Sequence, residues 1–371
     1  MRVAFLCKRR YMGKDVIDDR YARLYEIPRQ LARSGHEVHA FCLAYARDSA
    51  EGNWVHDAAP GSLRWYSRTR SRFWVGTVAS YPLQLLYRLR ALNPDVIVAA
   101  SDIPHVAWGA WLAHMLSRPL VVDLYDNFES FGQARLPLAK SMLRRATAKA
   151  DLVLATSQPL ADMVRETYRP RGQVVALPST VDVRHFKRGD KRSARHALGL
   201  PEDALLIGTA GGLTVEKGID TLYAAWERIR ALRPDIHLVL AGPHDSDFPP
   251  PQDASCHYLG RLGHAQVPTL FQALDVGAIC IKDSLFGRYC FPQKAYEMIA
   301  CGLPVVAARV GAMTDLLSEQ PDTLYTPSDP DDLACKLIKQ ATAATPTAVK
   351  VRDWSEVLGE VTRTIERLAA G

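Results

Sequence analysis

Residues 286–317, FGRYCFPQKAYEMIACGLPVVAARVGAMTDLL, constrain the fold more than any other stretch. They read as loop, short helix, abrupt stop, buried strand and second turn. Pro292 suits the first helical position, where a missing N–H costs nothing. Gly302 suits the left-handed position just past a helix end, and Pro304 keeps the helix from resuming. Val305-Val306-Ala307-Ala308 is then a short apolar run of the kind buried in parallel sheets. Lys294 and Glu297 stand three apart and share a helix face. The helix dipole opposes a lysine in the first turn unless an anion sits there with it. The competing reading is a Lys–Glu surface pair, common and worth little.

The rest of the chain repeats strand–helix units. Strand patterns cover residues 2–7, 37–43, 96–100, 119–124, 152–156 and 174–177, with a short one near 63–66. Residues 19–34 form an amphipathic helix with Tyr21, Leu24, Tyr25 and Leu31 on its apolar side. Residues 181–203 carry many charges and no clear strand, which marks an inter-domain connection. A second series follows, with strands at 205–209, 236–241, 258–259 and 276–279 and a helix at 218–232. Repeated β-α-β units with short turns predict doubly wound parallel sheets. At 371 residues the chain exceeds one ordinary core. The expected division is 1–185, 186–352 and a closing amphipathic helix within 353–371.

Hydrophobic content of 48% and charged content of 23% are those of a globular protein outside the membrane. No uncharged apolar run reaches the roughly 18 residues a membrane span needs, and residues 2–7 read as a strand rather than a secretory leader. The seven cysteines are scattered without a C-x-x-C, as for thiols in a reducing, cytoplasmic setting. Charge is uneven. Residues 1–185 hold 26 Lys+Arg against 17 Asp+Glu, hence +9, and residues 186–371 hold 20 against 23, hence −3. The first half is therefore expected to meet an anion: a membrane surface, a phosphorylated acceptor or nucleic acid. No stacked aromatic platform supports nucleic acid. Residues 68–90, RTRSRFWVGTVASYPLQLLYRLR, place arginines around Phe73, Trp74, Tyr81 and Tyr87. Such a pattern fits a basic helix lying in a bilayer interface, on the inner face of the cell membrane, or a core helix with a solvated arginine face.

Ligands of open parallel sheets bind at the carboxyl ends of strands. Asp102, His105, Tyr125 and Asp126 all follow such ends and are expected to converge, although each alone also reads as a helix cap or local hydrogen bonder. Gly208-Thr209-Ala210-Gly211-Gly212 follows a strand, and Lys217-Gly218 opens the next helix. Close glycines let the backbone approach a phosphate. Lys217 and Lys294 together would clamp a diphosphate without a metal. Asp245-Ser246-Asp247 has the D-x-D spacing of some nucleotide-bound metal sites, but three following prolines read as a surface loop. No Ser-His-Asp elbow and no zinc-spaced His/Cys set is present.

These residues resemble a family. Residues 211–218 (GGLTVEKG), 238–242 (LVLAG), 258–260 (YLG) and above all 291–306 (FPQKAYEMIACGLPVV) are similar to the nucleotide-sugar domain of retaining GT-B glycosyltransferases of the family 4, group 1 type. The first half resembles the family more weakly, through its first loop and Ser34-Gly35-His36-Glu37-Val38. The resemblance implies two Rossmann-like domains facing a cleft, with the C-terminal helix crossing back to the first. It implies a UDP- or GDP-linked sugar as donor substrate, no cofactor and no metal. The acceptor would be a hydroxyl compound, often lipid-linked or a growing polysaccharide. Glu297 would hold the ribose hydroxyls, Lys217 and Lys294 the diphosphate, and Gly211 and Gly212 would permit close approach. Arg288, Tyr289, Phe291 and Pro292 would complete the donor site. Asp102, His105, Tyr125 and Asp126 would form the acceptor side, with Asp126 the catalytic candidate there. Three positions depart from the pattern: Tyr289 replaces a Glu, Gly212 an Arg, and Tyr125 a His. A degenerate, non-catalytic GT-B subunit, or an epimerase or phosphorylase on the same fold, stays open as an alternative.

Overall fold

The computed structural model describes residues 1–11, 13–46, 49–70, 74–130 and 132–371, with the side chains of Trp74 and Val75 left aside. Phe73, expected in the basic amphipathic helix, lies outside the described residues. The chain divides into two compact units, Met1–Ser179 with Trp354–Gly371, and Thr180–Asp353. The sequence expectation put the first junction at 185/186 and the last at 352/353.

Unit 1 is built on β1 (Arg2–Lys8), β4 (Glu37–Ala44), β6 (Ser62–Thr69), β7 (Val96–Ala100), β8 (Leu120–Leu124), β9 (Leu152–Ala155) and β10 (Gln173–Ala176), with β5 (Gly52–His56) at one edge and a small hairpin of β2 (Arg10–Tyr11) and β3 (Lys14–Asp15). The strand order is β10-β9-β8-β7-β1-β4-β6-β5. Every pair is parallel except β5 with β6, which is antiparallel. The central strands β7 and β8 are fully buried, as apolar runs covered on both faces must be. Strand order reverses between β1 and β7, so the crevice beyond their carboxyl ends is the expected ligand position.

Unit 2 repeats the scheme with β11 (Leu205–Ala210), β12 (Ile236–Ala241), β13 (Cys256–Tyr258), β14 (Val276–Ile279), β15 (Val305–Ala308) and β16 (Leu324–Tyr325), all parallel in the order β13-β12-β11-β14-β15-β16. Its reversal lies between β11 and β14. The segment 286–317 supplies β15 and the helix before it. That helix begins at Lys294 rather than Pro292, and Gln293 is its N-cap. Gly302, at φ +77°, ends it in the left-handed region as expected.

Three differences from the sequence reading have physical causes. The connection 181–203 contains a helix, Lys191–Leu198, which Asp190 caps at the amide of Ser193 and Gly199 closes at φ +63°. Eight residues are too few to show a clear period, but both caps were present in the sequence. The polar stretch after residue 46 contains the edge strand β5, of which His56 alone is buried, so it carries no apolar alternation. The helix read as 19–34 runs Ala22–Arg33 and buries a charge, Arg23, on its apolar side. Arg23 Nε and Nη2 donate to Asp123 Oδ1 of β8 at 2.7 and 2.5 Å, and Nη1 donates to the Leu177 carbonyl. Both side chains are 0% exposed.

The helix Trp74–Leu92 buries Tyr81, Leu85, Leu86 and Leu89 and leaves Leu83 and Tyr87 60% and 80% exposed. The closing helix Trp354–Ala370 belongs to unit 1, where Trp354, Leu358, Val361 and Ile365 enter its core. His36 contacts Glu366 of this helix at 2.9 Å. No helix among the described residues is long and apolar enough to cross a membrane.

A buried pair broken on one side leaves an uncompensated charge. Arg23→Met should therefore destabilise unit 1 by about 3–5 kcal/mol, while adding Asp123→Leu should recover much of the loss. Chemical denaturation of the two variants checks this, and equal losses in both would contradict it.

Candidate active site

The unit 2 site forms where β11 and β14 part. After β11 the chain turns through Gly211 at φ +108°, and after β12 through Gly242 at φ +131°. A Cβ on Gly242 would collide with the Gly211 carbonyl, so glycine at 242 is a steric requirement of this crossing. The Tyr258 hydroxyl donates to the Gly242 carbonyl at 2.8 Å and fixes the turn from the neighbouring strand. Val215–Lys217 then forms a single 3₁₀ turn before the helix Ile219–Leu232. Asp245 Oδ2 accepts the Val215 amide at 3.2 Å, so one carboxylate of the D-x-D serves that turn.

Both candidate lysines reach this turn. A Cβ on Gly211 would stand 3.6 Å from Lys294 Nζ, and one on Gly212 would stand 3.2 Å from Lys217 Nζ. Neither ammonium has a hydrogen bond or ion pair with any described residue. Lys294 and Glu297 share their helix face but form no ion pair within 4.0 Å, so the surface-pair reading fails. Glu297 Oε1 instead accepts Gln293 Nε2 at 3.2 Å. Burial lowers the Lys294 ammonium to about 8, with the like charge of Lys217 adding to the effect and Cys280, Glu297 and Cys290 opposing it. Burial raises the Glu297 carboxyl to about 7, against Lys294 and the Gln293 hydrogen bond. A cation and a carboxylate that both resist ionisation mark a site arranged for something other than stability.

The remaining donor-side candidates are less central. Arg288 is ion-paired with Asp283 at 2.5 Å and largely exposed. Tyr289 ends the short helix Leu285–Tyr289, which Ser284 caps at the Gly287 amide. Phe291 packs on Tyr296 with ring centroids 4.7 Å apart, beside Pro292 at the approach to the Lys294 helix. Sequence reasoning missed Lys282, whose Nζ donates to Asp220 Oδ2 at 2.7 Å across the β11–β14 reversal. Its signal was available: a lysine three residues beyond a buried strand.

In unit 1 the expected residues also meet at the reversal point. Asp102 caps the helix Ile103–Leu116, accepting the His105 amide at 3.0 Å and His105 Nδ1 at 2.6 Å on Oδ1. The Tyr45 hydroxyl donates to Asp102 Oδ2 at 2.8 Å. Burial alone would raise the Asp102 carboxyl, but His105 and Tyr45 hold it below its usual value. His105 is 0% exposed and lies edge-on to Trp108 at 5.1 Å, so it orients Asp102 from beneath. Asp126 is buried and its Oδ1 accepts the Asn127 amide at 2.8 Å.

Lys8, the last residue of β1, was not anticipated. Its Nζ donates to the Tyr125 hydroxyl at 2.8 Å and its amide donates to Ser101 Oγ at 2.8 Å. Burial lowers the Lys8 ammonium, while Asp102 and Asp126 work the other way. Ser101 sits at φ +88°, a costly region for a residue with a side chain, and such strain is common at functional sites. Among the described residues no group of three or more His, Cys, Asp or Glu is placed to hold a metal ion.

Comparison with known proteins gives the family and the fold. Residues 22–185 match the model of Glycosyltransferase Family 4, and residues 204–342 match that of Glycosyl transferases group 1. D-inositol 3-phosphate glycosyltransferase of Stackebrandtia nassauensis is 32% identical over 193 residues, covering 47% of this chain and 42% of the relative. The Mycobacterium tuberculosis protein of that name is 32% identical over 164 residues, 38% of this chain and 32% of the relative. The aligned regions thus span less than half the length of these curated relatives. Among solved structures, Anabaena Alr3699/HepE in complex with UDP superposes with a TM-score of 0.73 at 20% identity, covering 99% of this chain and 100% of the other. Sucrose-phosphate synthase from Thermosynechococcus elongatus gives 0.71 at 18% identity, with 100% and 94% covered. At these identities the likeness establishes the fold, which is GT-B. Together the two family models span both halves of the molecule, and the chain belongs to the family 4, group 1 glycosyltransferases.

Proposed function

We propose that the protein moves a sugar from a nucleotide-diphosphate sugar to a hydroxyl acceptor with retention of anomeric configuration and without a metal. The observation that carries this reading is the pair of ammoniums, Lys217 and Lys294, without a partner among the described residues and beside Gly211 and Gly212, with Glu297 on the same helix face as Lys294. The two lysines take the diphosphate and Glu297 takes the ribose hydroxyls. Further support comes from solved neighbours whose crystals held UDP and UDP-glucose.

The leaving diphosphate gains negative charge as the glycosidic bond breaks. Fixed cations aimed at it lower the barrier because they are organised before the charge develops. The leaving phosphate oxygen accepts the acceptor hydroxyl proton, so no strong protein base is required. Unit 1 binds the acceptor at the Lys8, Asp102, Tyr125 and Asp126 cluster, with Asp126 the residue nearest in role to a proton acceptor. A lipid-linked acceptor on an anionic membrane fits the +9 charge of residues 1–185.

A thermal-shift panel of UDP-, GDP-, ADP-, CMP- and dTDP-sugars tests the donor site. One class should stabilise by about 2.7 kcal/mol at 100-fold over its dissociation constant, with or without EDTA. Lys294→Met and Glu297→Ala should abolish that shift. Below pH 8 the Lys294 charge costs the folded state stability, and the cost is relieved only as pH rises toward the unfolded lysine value of about 10.4. Lys294→Met should therefore raise the midpoint of the ligand-free protein at pH 7. A flat panel favours a non-catalytic subunit, and a shift that survives both substitutions places the donor elsewhere.

The same two groups set a pH window. Glu297 loses its charge as pH falls through about 7, and Lys294 loses its charge as pH rises through about 8. Donor kcat/KM should peak between these values and fall on both sides. A profile flat from pH 6 to 9 would remove both residues from donor binding.

A further inference from the structure

Unit 1 holds a cavity of about 300 Å³ that shares no residue with the Lys8–Tyr125 cluster. It opens at the antiparallel edge of the sheet, between β5–β6 and the helix Trp74–Leu92. Its floor is aromatic: Phe41 of β4 and Tyr66 of β6 stack at 4.9 Å with 14° between their planes. The helix contributes Tyr81, Gln84, Leu85 and Arg88, which follow one another at helical spacing along the side of the helix that borders the cavity. A helix laid on a sheet ordinarily presents apolar residues there. Here Tyr81 and Leu85 keep that role, while Gln84 and the exposed Arg88 reach the rim of the cavity, and a second exposed guanidinium, Arg68 of β6, faces it from the strand.

The charge in this cavity is unbalanced. Neither Arg68 nor Arg88 forms an ion pair with any described residue, whereas Arg9, Arg23, Arg144 and Arg171 of the same unit all do. The guanidinium of Arg88 stands 6.0 Å above the Tyr66 ring. Glu51 is the one carboxylate lining the cavity, and its Oε1 already accepts the Thr69 amide at 2.9 Å. The buried Tyr81 hydroxyl lies within the field of both arginines. Two guanidiniums against one engaged carboxylate, over an aromatic floor, match one phosphoryl group carried by a small organic body. The volume is at the lower end for small-molecule sites.

We propose that this cavity binds a phosphate monoester through Arg68 and Arg88, independently of the donor site. The phosphoryl group has two possible sources, a free phosphorylated metabolite or a lipid headgroup, and one experiment separates them. Full-length protein is titrated with glycerol 3-phosphate, and in parallel sedimented with phosphatidic acid or phosphatidylcholine vesicles, at constant ionic strength. Binding of glycerol 3-phosphate at millimolar concentration identifies the free source. Sedimentation with phosphatidic acid alone identifies the lipid. In either case Arg68→Met/Arg88→Met should weaken binding at least about tenfold, and Arg68→Lys/Arg88→Lys should weaken it less, because lysine keeps charge but loses the fork. Arg64→Met, on the same face of β6 but outside the cavity, should bind as wild type, and all variants should keep the donor-induced thermal shift if they are folded. The proposal is overturned if neither probe binds, if the double Met variant binds as wild type, or if Arg64→Met loses as much as the double variant.

Discussion

Two like charges held beside one backbone turn organise unit 2. Lys217 and Lys294 arrive from different strand–helix connections and meet the carboxyl end of β11 at successive glycines. Nothing among the described residues neutralises them, and burial already works against the charge on Lys294. A folded chain tolerates such an arrangement when the rest of the domain over-determines it. Here the restraint is the crossing of Gly242 over the Gly211 carbonyl, the Tyr258 hydroxyl that holds it, and the Asp220–Lys282 pair across the sheet reversal. The energetic cost resides in the unliganded site, and under the proposed function an arriving diphosphate would offset it, where prearranged cations stabilise a leaving group.

Unit 1 follows the same topology with the opposite electrostatic solution. Its cation at the reversal point, Lys8, is hydrogen-bonded to Tyr125 and lies in the field of Asp102 and Asp126. Asp102 is held by His105 and Tyr45. A satisfied polar cluster of this kind positions a neutral hydroxyl group better than it attracts an anion. The anion-attracting feature of unit 1, the Arg68–Arg88 cavity, lies away from the strand ends, at the sheet edge. The basic excess of the first half therefore need not concentrate at the site where an acceptor hydroxyl would react.

Much of this was legible in the sequence where local rules and tertiary demands agree. The 286–317 segment combines an apolar run, a left-handed glycine and a proline, and only a helix-to-buried-strand unit satisfies all three. The glycine pair after β11 and the lysines were equally visible, because close backbone approach and fixed charge are written in single residues. Features that depend on which strands become neighbours were not visible. Arg23 reads as a solvated residue on an amphipathic helix, and only the placement of β8 beneath it supplies Asp123. Lys8 reads as the polar end of a strand until Ser101 and Tyr125 surround it. The strand β5 escaped because an edge strand needs no apolar alternation. Arg288, expected in the donor site, forms an exposed ion pair with Asp283 that depends on the short helix Leu285–Tyr289 and was not visible in the sequence.

Under the proposed function, Lys294 is a cation that a diphosphate completes. The direct measurement is calorimetry of donor binding at pH 8 in buffers of different ionisation enthalpy, which yields the protons taken up with the ligand. With its value lowered to about 8, Lys294 is partly deprotonated in the free protein and fully charged beside a diphosphate. Binding should therefore take up a fraction of a proton, near one half, and that uptake should give way to net proton release at pH 6.5, where Lys294 is already charged and Glu297, raised to about 7, must give up its proton to hold the ribose. Binding with no proton uptake at pH 8 would contradict the central claim.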